Sequence, residues 1–182
     1  KRIMKKLFMV MAAAFIAVSA SAQIYVGGTV GLSSVKNAGG DSETAYRLLP
    51  EIGYNLNEDW AVGTVVGWGK GNPVNIENVT TAAKTFEVNP YVRYTFLHNE
   101  YINVFCDGAV GYKHYSGVGN ELSVGLKPGV SVNLHKSLSF VAHVGFIGYK
   151  NSDPKASGVK SSNAWGLNLD GNNVSFGLYY NF

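Results

Sequence analysis

Apolar and polar residues alternate with a period of two along most of this chain. The alternation falls into eight segments: Ile24–Ser34, Tyr46–Leu56, Trp60–Gly69, Phe86–Leu97, Tyr101–Tyr112, Leu122–Leu134, Leu138–Tyr149 and Val174–Phe182. A period of two is that of an extended strand, whose side chains point to opposite faces in turn. In the fourth segment Phe86, Val88, Pro90, Val92, Tyr94 and Phe96 share one face, and Glu87, Asn89, Tyr91, Arg93 and Thr95 share the other. In the sixth, Leu122, Val124, Leu126, Pro128, Val130, Val132 and Leu134 oppose Ser123, Gly125, Lys127, Gly129, Ser131 and Asn133. No helical periodicity competes, so the pattern predicts an all-β chain.

The connectors alternate as well. Three are short: Asn57-Glu58-Asp59, His98-Asn99-Glu100 and His135-Lys136-Ser137. Four are long and rich in Gly, Ser and Asn: Val35–Ala45, Lys70–Thr85, Lys113–Glu121 and Lys150–Asn173. Short turns at one end and long loops at the other predict an eight-stranded, antiparallel, up-and-down barrel that crosses a membrane. A soluble barrel would turn its apolar face inward, and alternation alone does not say which face that is. The polar face decides, because it is rich in Gly, Ala and Ser, which suit a crowded eight-stranded lumen. The apolar face is bulky and aromatic, as a lipid contact would be. From Phe86 to Phe96 the strand advances about 34 Å, which at the usual tilt projects to about 26 Å, close to the apolar band of such barrels. Phe86 and Phe96 are therefore expected at opposite membrane interfaces, with Trp60 and Trp68 bracketing the third segment in the same way.

The N-terminus sets the destination. Lys5 and Lys6 precede an apolar run of twelve residues, Leu7–Val18, and Ala20-Ser21-Ala22 has the small-x-small form of a signal peptidase site. Residues 1–22 are thus expected to be a secretory signal peptide with a short extension before Met4, and residues 23–182 the barrel. The apolar run is shorter than the roughly 20 residues of a spanning helix. The charge changes accordingly. Four of the 15 Lys and Arg lie in the segment to be removed, leaving eleven against twelve acids. The overall basicity belongs to the leader and gives no reason to expect a nucleic-acid partner. A single cysteine, Cys106, excludes an internal disulfide.

With an even number of strands both ends of the barrel lie on the short-turn side, and the last strand must pair with the first to abolish open edges. The export signal, the eight segments, the loop pattern and the closing "SFGLYYNF" resemble the small eight-stranded outer-membrane β-barrel family, of the OmpA transmembrane-domain and OmpX kind. The resemblance covers residues 23–182. It implies the outer membrane of a Gram-negative bacterium, contact with outer-membrane lipid and lipopolysaccharide, and recognition by the barrel-assembly machinery through Phe176, Tyr180 and Phe182. It also implies a structural or surface-interaction role, in envelope integrity, adhesion or binding through the long loops. A narrow porin for small solutes is the alternative, and a lipid A-modifying enzyme a more distant one. Unlike OmpA relatives, the chain is expected to have no following peptidoglycan-binding domain.

Chemistry-bearing residues are few. His114, Ser116 and Glu121 lie close in sequence and resemble the His-x-Ser of outer-membrane lipid A deacylases, though ordinary loop polarity accounts for them equally well. No cofactor or metal ligation is expected. His98 and His135 stand in matching turns without ligand company, and His143 falls on the polar face, where a hydrogen-bonded interior histidine is expected. Asn78-Val79-Thr80 is taken as loop. Strand parity places Arg47, Glu51, Glu87, Arg93, Asp107 and Lys127 on the inward face. Charges in so narrow a space must pair, and a plug without a continuous channel follows. Asp107, on the adjoining fifth segment, is the expected partner of Lys127, with Glu87 the alternative.

Overall fold

The computed structural model describes residues 23–36, 42–71, 83–155, 160–168 and 174–182. The leader, its cleavage boundary and the Asn78-Val79-Thr80 stretch lie outside the described residues. Every regular element among them is a strand: β1 Ile24–Lys36, β2 Ser42–Asn55, β3 Trp60–Lys70, β4 Lys84–His98, β5 Ile102–Tyr115, β6 Gly119–His135, β7 Leu138–Val144, β8 Phe146–Pro154, β9 Ser162–Asn168 and β10 Val174–Asn181.

The strands pair antiparallel with their sequence neighbours from β1 to β7, β7 pairs with β10, and β10 returns to β1. Eight strands thus form a closed ring, and closure through Phe182 N–H to Ile24 C=O carries order to the last residue. Short turns are built locally. Asn57 Oδ1 accepts from the backbone N–H groups of Asp59 and Trp60, so one side chain folds the connector between β2 and β3.

The buried residues share one strand parity. Tyr25, Ala45, Ala61, Tyr91, Phe105, Ala109, Val141 and Tyr179 face inward together with Glu51, Thr85, Glu87, Arg93, Asp107 and Ser139. The opposite parity is large, apolar and exposed: Val92, Tyr94, Tyr112, Leu126, Phe176 and Leu178 among others. That distribution inverts the soluble pattern, and only a hydrocarbon solvent rewards it. Trp60 packs on Tyr94 and Trp68 on Phe86, with ring centroids 4.8 and 6.0 Å apart, at opposite ends of β3 and β4. Phe96 sits on the outside at the bulge between Thr95 and Leu97.

Two features differ from the pattern read in the sequence. The segment Leu138–Tyr149 does not alternate throughout. Gly129 of β6 faces His143 and Leu126 faces Ile147, so two residues of β6 oppose three of the other strand. The extra residue is a bulge at Gly145, whose φ of +72° is open to glycine and strained for other residues. Parity inverts there: Ser139, Val141 and His143 face inward before it, Gly148 and Lys150 after it. Second, Lys113–Glu121 is not a long loop. β5 and β6 stay paired to Tyr115 and Gly119 and reverse over Ser116-Gly117-Val118, with Gly117 at φ +78°. Likewise the connector Lys150–Asn173 contains the end of β8 and all of β9, which pair with each other. Sheet hydrogen bonding continues past the apolar belt, where no alternation of apolar residues is required to sustain it.

Candidate functional site, the barrel lumen

The lumen is crossed at mid-height by Arg93. Its guanidinium forms a fork on Asp107, with Nε donating to Oδ1 at 2.7 Å and Nη2 to Oδ2 at 2.8 Å. Arg93 Nη2 also lies 3.6 Å from Glu51 Oε1 and donates to the Tyr179 hydroxyl at 3.5 Å. β4 and β10 stand diametrically opposite in the ring, so this one side chain spans the barrel. Tyr179 donates to Glu51 Oε2 at 2.6 Å, Tyr91 donates to Glu51 Oε1, and the Tyr91 and Tyr25 hydroxyls lie 2.6 Å apart. His143 Nε2 lies 3.0 Å from Asp107 Oδ2.

Aromatic rings wrap the cation. The Arg93 Cζ lies 3.9 Å from the Phe105 ring centroid and 5.2–5.6 Å from those of Tyr91, Tyr179 and Tyr25. Tyr25 stacks on Tyr179 at 5.4 Å, and Phe105 meets His143 edge-on at 5.4 Å. Small wall residues make room: a Cβ on Gly129 would lie 2.5 Å from the Phe105 ring and one on Gly53 2.1 Å from Tyr25. Two carboxylates and one guanidinium, each with several donors or acceptors, meet the requirement that buried charge be paired and hydrogen-bonded.

Below this layer, toward the short turns, lies a cavity of about 800 Å³ lined by Asn55, Thr95, Asn103, Ser131, Asn133 and Asn181, with Arg93 and Phe105 at its inner end. Above it is a second charged layer. Arg47 of β2 reaches across β3 to Glu87 of β4, with Nε and Nη2 donating to Oε1 at 3.0 and 2.9 Å. Gly67 and Gly69 of β3 permit that reach, since a Cβ on Gly67 would lie 2.6 Å from Glu87 Cγ.

All six inward charges read from the sequence stand in or beside these layers, but the partner expected for Lys127 is corrected. Asp107 is flanked by Arg93 on β4 and Lys127 on β6 in register, and Arg93 takes both of its oxygens. No carboxylate lies within 4 Å of Lys127 among the described residues. Replacing Lys127 by alanine therefore leaves no acid stranded, contrary to the sequence expectation. Tyr25, Tyr91, Phe105 and Tyr179, aromatics on the inward face, were not among the site residues read from the sequence, and Lys113, Glu121 and Lys150 were placed in loops.

The structure does not assemble His114, Ser116 and Glu121. His114 faces outward, with Nδ1 2.7 Å from Asn120 Oδ1, while Glu121 faces the lumen 3.8 Å from Lys150 Nζ. Ser116 lies in the turn and is held by its backbone N–H to Lys84 C=O. A nucleophile needs its base within hydrogen-bond reach and the base needs an orienting acid; these residues lie on opposite faces of one strand pair. Among the described residues no group of three or more His, Cys, Asp and Glu is placed to hold a metal ion.

Comparison with known proteins agrees with the barrel fold. The model of the outer membrane protein beta-barrel domain matches residues 7–182. A solved structure, that of Neisserial surface protein A (NspA), superposes with a TM-score of 0.51 at 14% identity, over 89% of this chain and 98% of that one. At that identity the likeness is one of fold. No curated protein sequence matches the chain.

Proposed function

Because the chain belongs to the outer membrane protein β-barrel family, we propose that it serves the envelope of a Gram-negative bacterium as a plugged barrel, with a structural or surface-interaction role exercised through its long connectors. The observation that carries this reading is the Arg93 cluster. A hydrogen bond from Arg93 of β4 to Tyr179 of the opposite β10, and one from Tyr179 to Glu51 of β2, cross the lumen at mid-height, and an eight-stranded lumen has room for little beyond its own side chains. That weighs against the narrow porin. Catalysis has no support from the His114, Ser116 and Glu121 placement. Outer-membrane lipid and lipopolysaccharide would surround the apolar belt, the barrel-assembly machinery would engage the last strand with Phe176, Tyr180 and Phe182, and an extracellular ligand or host surface would meet the long connectors.

The role is tested by a deletion strain scored for envelope permeability and for binding to host surfaces; wild-type behaviour in both assays would remove it. Sidedness is tested separately in a Cys106→Ala background. Val118→Cys, at an exposed turn position, should react with a membrane-impermeant maleimide on intact cells, and Asn57→Cys should react only after the outer membrane is opened. The reverse labelling would invert the topology.

A further inference from the structure

The inward face changes character at Arg93. Above it the strands turn charged side chains into the lumen, Arg47, Glu87 and Lys113 among them. Below it, toward the short turns, the same parity brings in Asn55 on β2, Thr95 on β4, Asn103 on β5, Ser131 on β6, Ser139 on β7 and Asn181 on β10. All six are neutral, and all line the cavity of about 800 Å³ whose inner end is Arg93 and Phe105. Charged side chains return at the mouth, with Glu58, Glu100 and Lys136.

The wall of this cavity keeps open hydrogen-bonding groups. Asn103 Nδ2 donates to Ser131 Oγ at 3.3 Å and Asn181 Nδ2 to Ser139 Oγ at 3.0 Å, which leaves Oδ1 of both amides without a donor. The Asn55 amide and the Thr95 hydroxyl have no partner among the described residues. Arg93 directs Nε and Nη2 at Asp107, Glu51 and Tyr179, and its Nη1 has no acceptor among the described residues. Ser33 Oγ is the one fully enclosed side-chain N or O atom without a partner among those residues, so Nη1 is open to the space beside it.

The mouth supplies an independent observation. Tyr101 C=O accepts from Asn133 N–H, so Tyr101 continues the inward parity of Asn103 and Phe105, and it lines the cavity. Its ring is nevertheless 65% exposed and meets no other ring among the described residues. Tyr101 lies six residues before Asp107, the register partner of Arg93. That is about 20 Å along the strand and about 15 Å along the barrel axis at the usual tilt, a length that a trisaccharide covers.

We propose that the cavity binds the end of a neutral, N-acetylated oligosaccharide. The innermost acetamido carbonyl accepts from Arg93 Nη1, hydroxyls meet Asn55, Thr95, Asn103 and Asn181, and an outer ring lies on Tyr101. Each sugar hydroxyl both donates and accepts, which matches a wall of amides and hydroxyls, and the apolar face of a pyranose suits an exposed aromatic ring. A neutral carbonyl satisfies the open guanidinium donor without bringing a further buried charge into the plug. The wall strands β1, β10, β7 and β6 are hydrogen-bonded to one another at this level, which leaves no edge there for a peptide to extend. The site goes beyond the envelope role proposed above and is tested without assuming it.

The test uses the isotope-labelled barrel folded in phosphatidylcholine nanodiscs, titrated with N,N′,N″-triacetylchitotriose and followed by the side-chain amide NMR signals of Asn55, Asn103 and Asn181. Those signals should shift and saturate below about 10 mM sugar. Cellotriose, which has hydroxyls where the first sugar has acetamido groups, should bind about tenfold more weakly, the upper range for one hydrogen bond. Tyr101→Ala should weaken triacetylchitotriose by about three- to tenfold, as loss of a ring contact does. If that variant fails to fold, the comparison of the two sugars in the wild type still decides. Shifts that never saturate, equal binding of both sugars, or an affinity indifferent to Tyr101→Ala in folded protein would overturn the proposal and leave the cavity a water-filled vestibule.

Discussion

Arg93→Ala should be the most costly single substitution in the lumen, at about 3–5 kcal/mol, the range for removing one partner of a buried ion pair. The guanidinium serves Asp107 through two hydrogen bonds, lies 3.6 Å from Glu51 and donates to Tyr179. Its loss leaves two buried carboxylates facing each other's field with no cation between them. Asp107 would retain only His143, and Glu51 would retain the Tyr91 and Tyr179 hydroxyls. The cost should be read as the urea midpoint of the protein folded in lipid vesicles. Arg93→Ala with Asp107→Ala should cost less than the sum of the two single changes, as contacting groups do. Strict additivity, or a loss below about 1 kcal/mol, would mean that the fork is solvated and not structural.

Gly53→Val should lower the folded fraction nearly as much, by about 3 kcal/mol, the upper end for overpacking. A Cβ at Gly53 would stand 2.1 Å from Tyr25 Cζ and 2.3 Å from its hydroxyl oxygen. The Tyr25 ring has little freedom to yield, because it stacks on Tyr179 and its hydroxyl meets that of Tyr91. Adding Tyr25→Ala to Gly53→Val should restore much of the folded fraction, measured by the heat-dependent mobility shift of the barrel in gel electrophoresis. If the double variant folds no better than the single one, the strain lies in the β1–β2 backbone and not in the plug.

The strand order and the inward face were legible because strand parity is a local property, and a one-residue slip would turn every lipid-facing side chain into the lumen. The charged residues of the lumen followed from the same parity. Their pairing did not, since it depends on register between strands. Asp107 has Arg93 on one side and Lys127 on the other, and only the preference of a planar guanidinium for both carboxylate oxygens distinguishes them. The tyrosines of the plug were hidden by their own amphipathic character: Tyr25, Tyr91 and Tyr179 suit an interfacial belt as well as a polar core. The bulge at Gly145 left no mark because glycines recur on the inward face for packing reasons, as at Gly125 and Gly148. Lys113, Glu121 and Lys150 read as loop because strands that rise above the apolar belt lose the alternation that identifies them.

The central claim is that Arg93 and its partners close the lumen, and single-channel recording of the purified wild-type barrel in a planar bilayer tests it most directly. The hydrogen bonds linking β4 with β2, β5 and β10 predict a silent bilayer at moderate voltage. Steady currents of porin size, insensitive to substitution at Arg93, would contradict the plug and make the barrel a pore.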